Sequence, residues 1–325
     1  MAEGVCSGCR RGCGQLSGNH KEVTMLRVGF IGLGAMGLPM ARNVRKAGFP
    51  LVVWARRPES VQPIVAEGAT VASSPAEMAR ESDVVVLMVT SSADVEGLVT
   101  GPDGLLAGGR AGLVIADMST IAPTVSRVMA ARCLEQGIQF LDAPVSGGTQ
   151  GAQAGSLTIM VGGEESAYRQ VRPVLEAMGK NIFHVGPSGA GEVIKLVNNC
   201  LVGAIAASIA EAMVLGVKAG ADLATMTQVV GASTGASWQL ANQFPLRAFS
   251  GSFRPGFMTD LLVKDLGLAL QLGEESRSPL FVTALVRQLY GEAQAAGYGR
   301  DDYTSVLRVL ESVAGVEVRT ERDER

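Results

Sequence analysis

Short apolar runs alternate with helical patterns along the first half of the chain. From residue 25 onward, each run is followed by a segment whose apolar positions recur every three or four residues. Continuous apolar runs are typical of strands that are buried on both faces of a parallel sheet. The strands predicted in this way span residues 26–31, 51–54, 83–89, 113–117, 138–142, 157–163 and 181–185. The alternation predicts an α/β domain over residues 25–187, with a Rossmann-type, doubly wound and mostly parallel sheet.

The pattern changes past residue 188, where strand alternation ends and helical periodicity continues. One long helix is predicted from residue 191 to about 220, and its many alanines let other helices pack closely against it. Glycine and proline breaks separate the further helices. The sequence therefore predicts an all-α second domain over residues 188–316, joined to the first by the long helix. A flexible leader is expected over residues 1–24, and a charged, fraying tail over residues 317–325.

A glycine-rich turn directly follows the first predicted strand. Gly32, Gly34 and Gly37 have Gly-x-Gly-x-x-Gly spacing between a strand and the start of a helix. In this context the first glycine permits a tight turn, the second lets the backbone approach a pyrophosphate, and the third lets helix and strand pack closely. The helix N-terminus adds N–H donors for the phosphates. The turn predicts a dinucleotide site built from Gly32, Leu33, Gly34, Ala35, Met36 and Gly37.

The charges at the end of the second strand bear on the choice of dinucleotide. A site that prefers NAD commonly places an acid about 20 residues beyond the first glycine, where it binds the ribose hydroxyls. Here Arg56 and Arg57 occupy that place, and the first acid is Glu59. Two guanidinium groups suit the 2′-phosphate of NADP through bidentate contacts. We therefore predict NADP as the favoured cofactor, with NAD, or a merely solvated basic turn, as the alternatives.

Lys195 is the candidate catalytic group. It is the only cation in an apolar run over residues 193–210, it follows a glycine-containing loop at 186–191, and it shares a helix face with Asn199. The glycines would let the loop backbone approach a ligand closely. A lysine buried on such a helix can act as a general acid or base, because burial lowers its pKa. The competing interpretation is a lysine whose ammonium simply reaches solvent.

Composition and charge argue against several classes of protein. Hydrophobic residues make up 47% of the chain, charged residues 18%, and the formal net charge is -3. This is an ordinary soluble globular composition without the basic footprint of a nucleic-acid binder. No charge-free apolar run reaches the ~20 residues of a bilayer span, and no secretory signal is expected. A cytoplasmic location is expected, since the arginines of the leader make only a weak organelle-targeting signal.

The cysteines do not predict a disulfide framework, because their number is odd and their positions are scattered. Cys6, Cys9 and Cys13 lie in the leader, where His20 could complete a set of metal ligands. A leader with incidental thiols is the favoured interpretation. No other group of residues has metal-ligand spacing, so no metal centre is expected.

Four blocks of sequence, taken together, resemble those of a known family in the same order. They lie at residues 29–37, 142–148, 186–199 and 264–269. On these blocks the chain resembles the β-hydroxyacid dehydrogenases along nearly its whole length from residue 25. This family contains 3-hydroxyisobutyrate dehydrogenase, tartronate semialdehyde reductase and glyoxylate/succinic semialdehyde reductase.

The resemblance implies roles for the matching positions. Lys195 would be the general acid/base, and Asn199 would bind the substrate and help to place it. The substrate carboxylate, or the region of the substrate hydroxyl, would be bound by Ser146, Gly147 and Gly148. The cofactor would be lined by Val89, Thr90 and Ser119, and Lys264 would close over its nicotinamide end. The implied reaction is hydride transfer between NADP(H) and a small β-hydroxyacid, semialdehyde or glyoxylate, in a homodimer or homotetramer.

Two points of this interpretation have alternatives. Trp238 and Phe257 are candidates to shape the substrate pocket, but both could equally pack in a core. Among enzymes, the rival functions are imine reductase, whose members share the architecture but lack the lysine, and a 6-phosphogluconate-type enzyme, which would want a longer and more basic second domain. A non-catalytic NADP-binding interaction module is the alternative outside enzymes.

Overall fold

The computed structural model describes Met1 and residues 25–320. The predicted leader, with its three cysteines, and residues 321–325 therefore lie outside the described residues, apart from Met1. All statements of structure below refer to the described part of the chain.

One sheet organises residues 28–186, and it confirms the predicted fold class. Its strand order is β3-β2-β1-β4-β5-β6-β8-β7, with β9 paired to β8. The strands from β3 to β6 in this order run parallel, whereas β8 is antiparallel to β6 and β7. The strands are β1 (Val28–Ile31), β2 (Leu51–Trp54), β3 (Thr70–Val71), β4 (Val84–Leu87), β5 (Val114–Asp117), β6 (Gln139–Asp142), β7 (Val145–Ser146), β8 (Leu157–Gly162) and β9 (Gly179–Gly186).

The central strands are apolar throughout because helices cover both faces of the sheet. In β4, Val84 and Val86 join the core on one face, and Val85 and Leu87 join the core on the other. The helices of this domain are α1 (Gly37–Lys46), α2 (Gln62–Val65), α3 (Pro75–Glu81), α4 (Ser92–Thr100), α5 (Leu105–Gly108), α6 (Pro123–Leu134), α7 (Gly148–Ala154) and α8 (Glu165–Glu176). The strand order reverses at β1, which creates a crevice for ligands at the carboxyl ends of β1 and β4.

The second domain is helical and packs around one long helix, α9 (Ala190–Lys218). The small side chains along α9 let three helices contact it closely. The helices after it are α10 (Leu223–Gly231), α11 (Phe244–Leu246), α12 (Thr259–Ser276), α13 (Phe281–Ala295) and α14 (Val306–Ala314), with a π-helical turn over Gln239–Gln243. Their core includes the fully buried Phe244 and Tyr290.

The helix α9 is long and apolar, but it packs inside the protein. By length and composition it is apolar enough to cross a membrane. However, it packs on strands β8 and β9 at its start and on α12, α13 and α14 farther along. Its buried face also carries ionisable side chains, which suits a core helix between two domains.

The last described residues correct one expectation, because residues 317–320 do not fray. Val318 is fully buried and its backbone N–H donates to the carboxylate of Glu311. Arg319 forms an ion pair with the same carboxylate. The charged composition of this segment suggested exposure. Instead, Val318 buries its apolar side chain, and the adjacent Arg319 pairs with the buried Glu311.

Candidate active site

The glycine turn after β1 has the geometry of a dinucleotide cradle. Gly32 has a φ of 99°, and a Cβ at this position would overlap the carbonyl of Met88. A Cβ on Gly37 would overlap the carbonyl of Gly32, so helix and strand can approach only because both residues are glycine. Gly34, by contrast, faces open space. The start of α1 has no side-chain cap and no acid in its first turn, so its N–H donors suit a phosphate.

The remaining predicted cofactor residues lie along the same crevice. Leu33, Ala35 and Met36 complete the turn between β1 and α1, and Arg56 and Arg57 are exposed just beyond β2. The guanidinium of Arg56 forms an ion pair with Asp94, with a nitrogen–oxygen distance of 3.2 Å. The structure thus places both arginines at the end of β2, and one of them is paired with an acid.

A hydrogen bond joins the loops after β4 and β5, and both of its residues are predicted to line the cofactor. The backbone N–H of Val89 donates to the hydroxyl of Ser119 over 2.9 Å, and Ser119 is fully buried. Thr90 donates from its hydroxyl to the carboxylate of Asp94, which also binds Arg56. These contacts hold both loops at the edge of the crevice.

The start of α9 is seated on the sheet by an acid from β6. The carboxylate of Asp142 accepts hydrogen bonds from the backbone N–H groups of Gly189, at 2.6 Å, and Glu192, at 3.1 Å. A Cβ on Gly191 would lie only 2.8 Å from the backbone oxygen of Asp142. Gly189 and Gly191 therefore let the helix approach the sheet, and close approach of a ligand to this loop stays a prediction.

Lys195 lies one helical turn into α9 and is buried, with 8% of the residue exposed. Its ammonium lies 6.0 Å from the centroid of the Phe257 ring. Within the described residues, no hydrogen bond or ion pair is formed by its ammonium nitrogen. Burial lowers the pKa of Lys195, while the carboxylates of Asp265 and Glu192 act in the opposite direction. A cation with free donors in a desolvated position is suited to proton transfer.

The predicted partner of Lys195, Asn199, is fixed by an acid from the second domain. Its amide donates to the carboxylate of Asp265 over 2.6 Å, and Asn198 donates in turn to the side-chain oxygen of Asn199. The other oxygen of Asp265 lies 2.9 Å from the ammonium of Lys264. Asp265 thus orients both the asparagine and the lysine, and neither asparagine bonds Lys195 itself.

Lys264 also reaches the first domain. Its ammonium donates to the backbone carbonyl of Thr120 over 2.6 Å, in the loop that follows β5. This loop begins next to Ser119. The lysine therefore links α12 to the crevice.

The loop with Ser146, Gly147 and Gly148 lies where the two domains meet. Gly147 and Gly148 have φ values of 133° and 60°, which glycine adopts readily, and Gly148 begins α7. A Cβ on Gly148 would lie 3.3 Å from the carbonyl oxygen of Gly256 in the second domain. Ser146 ends β7 and is half-buried. The loop thus presents a hydroxyl and backbone N–H groups beside the turn that carries Phe257.

Trp238 does not lie in a core, since 68% of it is exposed to solvent. Phe257, the other aromatic candidate, is half-buried and is the ring beside Lys195. His184 in β9 stacks on Tyr168 and hydrogen-bonds the carbonyl oxygen of Gly163. No group of three or more potential metal ligands occurs among residues 25–320.

Comparison with known proteins decides the family. Residues 27–186 match the family model described as the NAD binding domain of 6-phosphogluconate dehydrogenase. Residues 189–310 match that described as NAD-binding of NADP-dependent 3-hydroxyisobutyrate dehydrogenase. The 2-(hydroxymethyl)glutarate dehydrogenase of Eubacterium barkeri is 44% identical over 90% of this chain and 97% of its own length. The chain belongs to the β-hydroxyacid dehydrogenase family. It is thus an NAD(P)-dependent hydroxyacid dehydrogenase of the 3-hydroxyisobutyrate dehydrogenase type.

Further relatives of this β-hydroxyacid dehydrogenase agree with that assignment. The NAD-dependent L-serine dehydrogenase of Pseudomonas aeruginosa is 42% identical over 90% of this chain and 100% of its own length. A structure of Mycobacterium tuberculosis 3-hydroxyisobutyrate dehydrogenase with L-serine has a TM-score of 0.82 and 34% identity, over 88% of this chain and 99% of that one. An imine reductase from Pseudomonas sp., at 23% identity and a TM-score of 0.58, shares the fold alone.

Three buried acids that the sequence did not predict as a cluster converge beneath the crevice of this dehydrogenase. Asp117 and Asp142 end neighbouring strands and are paired in register, and Glu192 in α9 is fully buried. Both carboxylate oxygens of Glu192 and one of Asp117 have no hydrogen-bond partner among the described residues. Acids at the ends of two buried strands were visible in the sequence, but their convergence with Glu192 was not.

Burial and mutual repulsion disfavour ionisation of this acid cluster. Desolvation raises the pKa of Asp117 to about 6, and it raises the pKa of Glu192 well above its ordinary value. The other two carboxylates add to the effect on Glu192. The pKa of Asp142 is also raised by burial, although the N–H groups at the start of α9 oppose the change.

The acid cluster predicts a pH dependence of stability, of which Asp117→Asn should remove one part. The folded-state pKa of Asp117 lies above its ordinary 3.8, so its stabilising contribution is complete below that value and is lost as pH rises through about 6. Relative to Asp117→Asn, the wild type should lose on the order of 2 kcal/mol of unfolding free energy between pH 4 and pH 7. Urea unfolding at both pH values measures the difference.

The asparagine keeps the acceptor for the N–H of Ser119, so this hydrogen bond is not lost. Asp103→Asn, at an exposed position, serves as the control and should show no such trend. A difference between wild type and Asp117→Asn that stays constant with pH would contradict the assigned environment.

Proposed function

We propose that this dehydrogenase moves a hydride between NADP(H) and a small β-hydroxyacid or its semialdehyde, with Lys195 as the general acid/base. The observation that supports this most is the buried ammonium of Lys195, which has no hydrogen-bond partner within residues 25–320 and lies 6.0 Å from the ring of Phe257. When bound, the dinucleotide supplies or accepts the hydride at its nicotinamide ring. The residues of this chain manage the proton and the position of the substrate.

Lys195 is suited to the proton step in both directions. In its protonated form it would donate to the carbonyl oxygen of an aldehyde as that carbon is reduced. In its neutral form it would accept the hydroxyl proton as the alcohol is oxidised. The ammonium would also stabilise negative charge that develops on the oxygen. A pKa lowered by burial keeps the neutral form accessible for oxidation.

The substrate class follows from the loop and from the relatives together. Neutral donors at Ser146, Gly147 and Gly148 suit a carboxylate next to the reacting centre. The compounds in the relatives' names, 3-hydroxyisobutyrate, L-serine and 2-(hydroxymethyl)glutarate, share a primary alcohol on the carbon next to the one that bears a carboxylate. We therefore propose that the substrate has the form HOCH2–CH(R)–COO⁻, with glyoxylate as a smaller carbonyl substrate. Asn199, held by Asp265, would bind and place this substrate.

Replacing Lys195 tests the proposed proton donor. Lys195→Ala should lower kcat by about 10²- to 10⁴-fold, because the reacting oxygen loses its proton partner. Binding of NADPH, followed by fluorescence titration, should stay within about twofold. Lys180→Ala removes an exposed lysine of the first domain and should leave both properties unchanged. Near-normal turnover of Lys195→Ala would rule out Lys195 as the general acid/base. It would favour the alternative functions, imine reductase or a non-catalytic NADP-binding module.

The preference for NADP is supported by the two arginines beyond β2. They occupy the position at which a site that prefers NAD commonly has an acid. The guanidinium of Arg56 also forms an ion pair with Asp94. The names of the relatives do not decide the question, since one family model refers to NADP and one relative to NAD. Lys264, tied to Asp265 and the loop after β5, would sit over the nicotinamide end.

Replacement of both arginines tests the preference. The double variant Arg56→Ala, Arg57→Ala should weaken NADPH binding by about 10- to 100-fold, the usual cost of losing charged hydrogen bonds. NADH binding should change by less than about threefold, and calorimetric titration measures both. Arg132→Ala, an exposed arginine on α6, is the control. Equal losses for the two cofactors would argue against recognition of the 2′-phosphate.

We also propose that the chain forms a homo-oligomer through exposed apolar side chains of α9 and α13. Val197 and Leu201 on α9, and Phe281, Val282 and Leu285 on α13, are each more than half exposed. The two helices pack on each other, so these side chains belong to adjoining surfaces. Apolar surface of this extent commonly marks a protein interface.

The double variant Phe281→Asp, Leu285→Asp should convert the oligomer to a monomer, because burying two carboxylates in an interface is costly. Light scattering coupled to gel filtration measures the mass. Val313→Asp, which changes an exposed valine on α14, should leave the mass of the oligomer unchanged. A wild-type monomer at micromolar concentration would contradict the proposal.

A further inference from the structure

Tyr303 is a buried tyrosine that contacts the segment beside Lys195. It follows Asp302 in a short helical turn, Tyr303–Ser305, and only 5% of it is exposed. Its backbone N–H donates to the carbonyl oxygen of Phe257 over 3.0 Å. Its ring meets the ring of Phe257 edge to face, with 6.0 Å between the centroids. Two contacts therefore join Tyr303 to the residue whose ring lies 6.0 Å from the ammonium of Lys195.

The hydroxyl of Tyr303 connects the same side chain to α9. It donates to the side-chain oxygen of Gln239 over 3.2 Å, and the amide of Gln239 donates to the backbone carbonyl of Val202 over 3.1 Å. Val202 lies in α9, about two helical turns beyond Lys195. Gln239 is itself buried and begins the π-helical turn. Tyr303 thus bridges the turn that carries Phe257 and the helix that carries Lys195.

A second tyrosine of the same core shows that the bridge is a specific feature of Tyr303. Tyr290 is fully buried in the helical core that also contains Tyr303. The hydroxyl of Tyr290 has no hydrogen-bond partner among residues 25–320. Burial of a hydroxyl is costly unless it is paired, and a phenylalanine would fill the same space without that cost. The core thus contains one tyrosine hydroxyl that connects separate elements and one that does not.

We propose that Tyr303 is a positioning residue, which holds the ring of Phe257 against Lys195 through the bridge to α9. The inference rests on the proposed function, since it takes Lys195 as the proton donor. The ring lies over the ammonium of Lys195 and limits its contact with water. Proton transfer depends steeply on geometry, so a small shift of the ring relative to the helix should slow the chemical step.

A matched pair of tyrosine variants tests the role. Tyr303→Phe keeps the ring but removes the hydroxyl, so kcat should fall by about 5- to 50-fold as Phe257 loses its tie to α9. KM should stay within about twofold, because the lost contact acts on the chemical step rather than on binding. Tyr290→Phe removes an unpaired hydroxyl and should leave kcat unchanged. Equal losses in the two variants would overturn the inference, and so would an unchanged kcat of Tyr303→Phe in an enzyme that Lys195→Ala inactivates.

Gln239→Met breaks the bridge from its other end. It should lower kcat by a factor similar to that of Tyr303→Phe. The double variant should lose no more than either single variant, because both changes break one connection. Losses that multiply in the double variant would show that the hydroxyl and the amide act separately, and they would refute the bridge.

A labelling experiment separates this inference from the proposed reaction. Acetic anhydride modifies neutral amines, and mass spectrometry of peptides measures the acetylation of each lysine without any turnover. Acetylation of Lys195, relative to the exposed Lys180, should be at least about threefold faster in Tyr303→Phe than in the wild type or Tyr290→Phe, because the amine loses its cover. An unchanged rate would refute the role of Tyr303 even if Lys195→Ala abolishes turnover. A faster rate together with normal turnover of Lys195→Ala would support the role of Tyr303 and refute the proposed reaction.

Discussion

The active-site region depends on one contact, the carboxylate of Asp142 at the N-terminus of α9. An acid from a central strand accepts two backbone N–H groups of a helix that begins 47 residues later. Negative charge at a helix N-terminus is favourable, because it satisfies unpaired donors and complements the helix dipole. The contact fixes the axis of α9 relative to the sheet, and the position of Lys195 follows from it.

The same arrangement brings ionisable groups together in a dry junction. Asp117 and Glu192 lie beside Asp142. Both residues are fully buried, and three of their four carboxylate oxygens have no hydrogen-bond donor among the described residues. Such a cluster costs stability when it ionises. It also acts on Lys195, whose lowered pKa reflects burial opposed by Glu192 and Asp265. Stability and proton chemistry are therefore linked through one set of buried charges, as is common at catalytic sites.

The second domain contributes positioning rather than a separate pocket. Asp265 holds Asn199 and Lys264, and Lys264 reaches back to the carbonyl of Thr120 in the first domain. Asp302 shapes the turn at Gly256 that faces the substrate loop. Each contact joins residues far apart in the chain. The cleft therefore exists only when both domains are folded and docked, which explains why its acids escape sequence inspection.

The amino-acid sequence by itself determined the elements that depend on local patterns. Runs buried on both faces predicted the strands, and the spacing of Gly32, Gly34 and Gly37 predicted the dinucleotide turn, because each signal lies within a few residues. A lysine alone in an apolar run likewise marked Lys195 as unusual. Contacts between distant residues set what such patterns cannot specify: that Gly189 and Gly191 let α9 approach the sheet, that Val318 and Arg319 pack against Glu311, and that Asp117, Asp142 and Glu192 converge. These facts depend on which distant atoms meet, and burial and pairing across the fold set them.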